Sequence, residues 1–238
     1  MPPAAFSSQS PSADTKSVHD HARAGAEAKG APRFDPQLYQ NPSGKVWDFD
    51  YGYFRSTFKG RDQQIVPYVA NKLRLPPGAS LDMPSPPGSE VVHRDLLLPS
   101  CTPPELRSIQ DLWSAVDARM YHRGQDLALV VTLWFHHLPS FQAHREVCSF
   151  VQQHLVDRYQ VAGLVVTHAP ARRAGKGPVH VHALLTANVV TSEGLGQFCQ
   201  PLCRANPVGT SHDQENGQLL VYRLWREYVA TLPPAQRP

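Results

Sequence analysis

The sequence predicts an α+β fold in which antiparallel strands carry helices packed on a sheet. Three observations predict it. Leu127 to Phe135 (LALVVTLWF) is almost wholly apolar and rich in β-formers, as a strand buried on both faces must be. Gly163 to Val190 holds two apolar runs around a loop rich in Pro, Gly and Arg, which reads as a β-hairpin. Elsewhere apolar residues recur at three- and four-residue spacing, the period of a helix face.

Taken in order, residues 1–45 are rich in Ala, Ser, Pro, Gly and charge and have no apolar period. Such a segment buries too little surface to offset its ordering entropy, so a disordered tail is expected, followed by one domain over 46–232 and a short tail at 233–238. Val46 to Phe58 is aromatic and roughly alternating, a strand broken by Gly60-Arg61. Asp62 is then placed to cap a helix carrying Ile65, Val69 and Leu73, with Pro67 in its early turns. A Pro- and Gly-rich loop spans 76–89, and Val91 to Leu98 is a short strand closed by Pro99. Thr102-Pro103-Pro104-Glu105 resembles a helix start, leading to a face of Leu106, Ile109, Trp113, Val116 and Met120. After the Leu127–Phe135 strand, Ser140 is placed to cap a helix carrying Val147, Val151, Leu155 and Tyr159. Beyond the hairpin, short and long helices are expected over 193–205 and 213–232.

A chain of 238 residues can bury one good core, and its net charge of +3 points only weakly to an anionic partner. The distribution says more. No acid lies between Asp157 and Glu193, where Arg158, Arg172, Arg173 and Lys176 fall; between Asp50 and Asp82, five bases including Arg61 face Asp62 alone. Cys101, Cys148, Cys199 and Cys203 make neither a disulfide framework nor paired zinc knuckles; Cys199 and Cys203 read as reduced residues on one helix face. No run is long enough for a transmembrane helix and no apolar signal core is present, so a cytoplasmic protein is expected.

Chemistry concentrates in the hairpin. His180 and His182 share a strand face. With the loop at about 170–178, paired positions sum to about 348, which sets His168 opposite His180. Three neutral imidazoles so placed can hold one divalent metal with open positions, as a Lewis acid acting on a phosphoryl oxygen requires. Ordinary core packing would suit one isolated histidine; three on one face of otherwise apolar strands favour a metal. A histidine-triad hydrolase would continue the alternation where this chain has Pro178 and Leu184, and a cupin would lack the helical patterns.

The pattern extends beyond the histidines. Val91–Pro99 (VVHRDLLLP), Asp111–Asp117 (DLWSAVD), Leu138-Pro139 before a long helix, Gly163–His168 (GLVVTH), a basic loop, Pro178–Thr186 (PVHVHALLT) and Gly194 follow one another in order. Over residues 48–230 the chain thereby resembles the MobA/MobL relaxases, DNA-nicking enzymes of plasmid mobilisation, within the wider group bearing a His-hydrophobic-His (HUH) motif. The resemblance implies a central antiparallel sheet flanked by helices, and a divalent metal (Mn, Mg or Zn) on His168, His180 and His182. By ligand preference alone, three imidazoles suit Mn, Zn or Ni better than Mg. The family's nucleophile is a tyrosine on the helix after the first strand, in a pattern close to Ala-Tyr-Arg. Tyr68 is the only tyrosine on that helix here and is the favoured match. The competing triplet, Ala70-Asn71-Lys72, would replace the tyrosine, and Tyr51 and Tyr53 are alternates on the preceding strand. Asn188 stands where the family usually has Arg.

The implied activity is site- and strand-specific nicking and closing of DNA through a 5′-phosphotyrosine. Asp126 is a candidate base, and Arg61, Arg172, Arg173 and Lys176 are candidate phosphate contacts. The partners would be single-stranded DNA at an origin of transfer and accessory transfer proteins. A relaxase fold that binds DNA without nicking, or a replication initiator with the same chemistry, are the competing expectations.

Overall fold

The structure, a computed structural model, describes residues 48–119, 122–173, 177–203 and 217–232. The expected tails at 1–45 and 233–238, together with Lys176, lie outside the described residues.

The chain opens with β1 (Asp48–Arg55), a small hairpin of β2 (Thr57–Phe58) and β3 (Arg61–Asp62), and α1 (Ile65–Lys72). Lys59 and Gly60, both at positive φ (48° and 77°), turn that hairpin. Next come β4 (Val91–Leu97), a 3-10 turn at Pro104–Leu106, α2 (Ile109–Ala118) and β5 (Asp126–Phe135). Then α3 (Ser140–Val151) runs through a π-helical turn, Gln152–Val156, into α4 (Asp157–Tyr159). The hairpin of β6 (Val161–His168) and β7 (Val179–Thr191) follows, then β8 (Gly194–Phe198) and α5 (Gly217–Thr231).

The main sheet is antiparallel in the order β1-β5-β7-β6-β4, and β8 pairs with the far end of β7. Helices cover both faces. On one face α1 and α2 bury Ile65, Val69, Leu112, Trp113 and Val116 against Leu164, Val166 and Leu184. On the other, α3 and α5 bury Val147, Phe150, Leu224 and Trp225 against Leu129, Val131 and Val165. Full burial of each such side chain contributes about 1.5–3 kcal/mol. Every residue of β6 is buried, which is why its apolar run is continuous rather than alternating. The expected α+β sheet flanked by helices is therefore the fold observed. Among the described residues no helix is long and apolar enough to cross a membrane.

Several local expectations are corrected. The cap of α1 is not Asp62: the backbone N–H groups of Ile65 and Val66 donate to Asp117 Oδ1 and Oδ2 at 2.7 and 3.1 Å. That carboxylate reaches across from α2, a contact invisible to local pattern. The helix expected from Thr102 is interrupted, and α2 starts afresh at its cap Ser108, whose hydroxyl accepts from the Asp111 N–H at 3.0 Å. Ser140 opens α3 without a side-chain cap. The short helix expected at 193–205 is instead β8, because Gly194 turns the chain at φ 115° and Gly194–Phe198 pairs with the end of β7. Cys199 and Cys203 are reduced, as expected, and buried, but lie on a turn rather than a helix.

Candidate metal centre

The β6–β7 hairpin has the expected register: His168 pairs with His180, Val166 with His182 and Leu164 with Leu184. Strand alternation turns the three imidazoles to the α1 side, where Val166 and Leu184 also pack. Their ring centroids are 4.9–5.1 Å apart, and each pair of rings is nearly perpendicular. One ligand atom from each residue lies within 4.8 Å of those of the other two.

Each ring is held by a different partner. His168 Nε2 donates to the Lys72 carbonyl at 2.7 Å. His182 Nδ1 meets the Thr132 hydroxyl at 2.9 Å, and His180 Nδ1 donates to the Pro178 carbonyl at 3.3 Å. A carbonyl only accepts, so the Lys72 contact puts the proton of neutral His168 on Nε2 and the lone pair on Nδ1. That Nδ1 is buried and has no hydrogen-bond partner; the Glu90 carboxylate stands 3.8 Å away. By the same reasoning Nε2 of His180 is left as the lone pair. His182, whose Nδ1 is engaged by a hydroxyl that can donate or accept, has Nε2 left for another partner. An orphaned lone pair beside two further imidazoles, each fixed through its other nitrogen, is what a divalent cation would satisfy.

The electrostatics agree with a ligand set. Burial, helped by His180 and Arg74, outweighs the opposing Lys72 carbonyl and Glu90 and brings the His168 pKa down to about 4. Burial is also the leading cause lowering His180 and, further, His182, with the Lys72 ammonium adding to both. All three are therefore neutral near pH 7, the form that binds metal. His168 and His182 are buried and His180 is half-buried, so the cluster opens outward on the His180 side. Trp134, also half-buried, lies beside it with ring centroids 6.4 Å apart.

Helix α1 brings the remaining groups. Tyr68 lies on it, its ring 4.5 Å from that of Phe54, with Lys72 Nζ 5.4 Å from the Tyr68 centroid. Burial and then the Asp50 carboxylate push the Tyr68 hydroxyl up to about 12. Tyr51 and Tyr53 are on the wrong face for the role kept for them as alternates. Both pack in the α3–α5 core, and the Tyr51 hydroxyl donates to the Leu202 carbonyl at 2.7 Å. Tyr159, Tyr222 and Tyr228 pack in that core too, which leaves Tyr68 as the tyrosine of the histidine side among the described residues.

Asp126 is corrected as well. It lies six residues along β5 from Thr132, about 20 Å at strand rise. There it pairs with Arg55 and influences Tyr53 and Cys203. The acid on the histidine side is Asp50, which pairs across β1 and β5 with Thr132, itself opposite His182. Of the basic candidates, Arg61 is exposed on β3, off the first turn of α1 rather than its Lys72 end. Arg172 is exposed on the 3-10 turn Pro170–Arg173, which also holds the Arg173 backbone. Sequence reasoning missed Thr132, Asp50, Lys72 and Glu90. The first two were within reach, because alternation along each strand places them once the strand order is known.

No family model matches the sequence, and no curated protein does. A solved structure does match in fold: "Molecular Basis of Vancomycin Resistance Transfer in Staphylococcus aureus". It aligns over 78% of this chain and 90% of that one, with a TM-score of 0.55 and 11% sequence identity. At that identity the likeness is one of fold.

Proposed function

We propose that this protein is a metal-dependent relaxase that nicks and rejoins one DNA strand at a specific site, initiating plasmid mobilisation. The observation that carries the reading is the buried, unpartnered Nδ1 of His168 facing His180 and His182, on a helix-covered sheet whose α1 presents Tyr68. The ordered MobA/MobL-like motifs support it. So does the fold likeness to a structure concerned with resistance transfer.

His168, His180 and His182 would hold a divalent cation, which would supply Lewis-acid activation of a phosphoryl oxygen. Thr132, Pro178 and Lys72 keep the rings oriented. The Tyr68 oxygen attacks phosphorus; a Tyr68–phosphate bond forms and the bond to the 3′ oxygen breaks. The products are a 5′-phosphotyrosine and a free 3′-OH, and reversal rejoins the strand. The phenol must lose its proton for this, and Asp50, whose carboxylate acts on Tyr68, is the acceptor. Trp134 at the open side offers a face on which a base stacks. Arg61, Arg172, Arg173 and Lys176 contact the phosphate backbone.

The test is incubation with origin-like single-stranded DNA and divalent metal, followed by a denaturing gel. A covalent adduct is expected, and Tyr68→Phe abolishes it. The raised pKa of Tyr68 and the competing Ala70-Asn71-Lys72 alignment favour a second reading, a relaxase fold that binds DNA without cutting. Binding with no adduct under any metal would establish that reading instead.

A further inference from the structure

Behind the three histidines, on the opposite face of the sheet, lies a second cluster that the nicking reaction does not use. Asp95 comes from edge strand β4, and His144 and Cys148 come from one face of α3, four residues apart. One ligand atom from each lies within 4.8 Å of the others. His144 Nε2 is 2.7 Å from Asp95 Oδ2 and 3.4 Å from Cys148 Sγ, and Cys148 Sγ is 3.9 Å from the same carboxylate oxygen. His144 Nδ1 is 2.8 Å from the hydroxyl of the fully buried Thr167.

We propose that Asp95, His144 and Cys148 form a second metal site, selective for a zinc-like cation, that fastens α3 to the edge strand β4. The donor set is sulfur, nitrogen and oxygen. A thiolate and an imidazole suit zinc and exclude magnesium and calcium, which take oxygen ligands. Without metal, His144 Nε2–H donates to the Asp95 carboxylate, which only accepts, and Nδ1 accepts from the Thr167 hydroxyl. A metal taking Nε2 would displace that proton, and the Thr167 hydroxyl, able to reverse, would then accept from Nδ1–H as the second-shell partner. His144 is buried while Asp95 is exposed, so the site is rooted in the core and open to an entering ion. His93, whose ring centroid is 5.2 Å from that of His144, stands beside the fourth position.

The same residues do not make a cysteine nucleophile with its base and orienting acid. That arrangement needs the acid and the nucleophile on opposite imidazole nitrogens. Here both address Nε2, and Nδ1 belongs to Thr167.

The experiment uses cobalt(II) as a spectroscopic stand-in for zinc on the full chain stripped of metal. A thiolate-to-cobalt charge-transfer band is expected, and it persists in the His180→Ala/His182→Ala double variant, because the three-imidazole centre contains no sulfur. The band disappears in Cys148→Ala. Thr167→Val weakens cobalt binding by about 10–100-fold, as loss of a second-shell partner does. Zinc also shields Cys148 from alkylation, read by mass spectrometry against Cys101, Cys199 and Cys203 in the same molecule. Should Cys148→Ala fail to fold, Asp95→Asn, changed at an exposed position, serves in its place and weakens the band. Absence of the charge-transfer band, or equal alkylation of Cys148 with and without zinc, overturns the proposal and leaves the nicking reading untouched.

Discussion

His168 donates from Nε2 to the backbone carbonyl of Lys72 at 2.7 Å, across 96 residues of chain. The contact joins the last turn of α1, the helix of Tyr68, to the first residue of the histidine cluster. It also decides the tautomer, leaving Nδ1 of His168 as the buried lone pair that a metal would take.

Thr132 holds the His182 ring through Nδ1, at 2.9 Å. Thr132→Val keeps the shape and removes the hydroxyl. Metal affinity measured by calorimetry should fall about 10–100-fold with little change in thermal stability. An unchanged affinity would show that His182 does not bind metal through Nε2.

Acid should destabilise the metal-free protein. His168 goes from an ordinary 6.5 in the unfolded chain to about 4 when folded, chiefly through burial. Above 6.5 neither state is protonated there and the stabilisation is complete. As pH falls from 6.5 toward 4 the unfolded chain takes up the proton and the folded one does not, so stability falls, by roughly 3 kcal/mol at most from this residue. His180 and His182, shifted the same way, add to the loss. Urea denaturation across that range in the presence of chelator measures it. In the His168→Gln variant the slope should be shallower.

Asp117 caps a helix that is not its own. Asp117→Ala frees the N–H groups of Ile65 and Val66 and should cost about 1–2 kcal/mol of stability by urea denaturation. Because α1 also carries Lys72, metal affinity should fall in the same variant. Asp117→Asn, which retains one acceptor, should lose less of both.

Trp134 flanks the open side of the cluster and lies close to His180. Trp134→Ala should weaken binding of single-stranded DNA by about 1–3 kcal/mol, read by fluorescence anisotropy, while metal affinity is retained. Equal loss of both would assign Trp134 to packing of the hairpin.

The hairpin was legible in the chain itself. Its two strands are local, their period is two, and the loop length set the register that brings His168 opposite His180. The apolar run of β5 and the four-residue stripe of Ile65, Val69 and Leu73 were legible for the same reason: burial imposes a short-range period. Where that signal was thin, the reading failed. At 193–205 few apolar positions recur, and pairing with the end of β7 made a strand of the expected helix.

What the sequence by itself determined was the composition of the candidate metal centre: three imidazoles, their spacing, and the face they share. Which groups surround them was decided only by tertiary structure. Strand order put Asp50 and Thr132 in line with His182 and left Asp126 far along β5. The same pairing turned Tyr51 and Tyr53, which alternate with Asp50 along β1, to the far side, and the packing of α1 kept Tyr68 on the histidine side. The Asp95–His144–Cys148 cluster joins an edge strand to a helix about fifty residues later. The physical reason is common to all three. Periodicity records which face of an element is buried, while the neighbours it meets depend on how distant elements pack, and no local pattern encodes that.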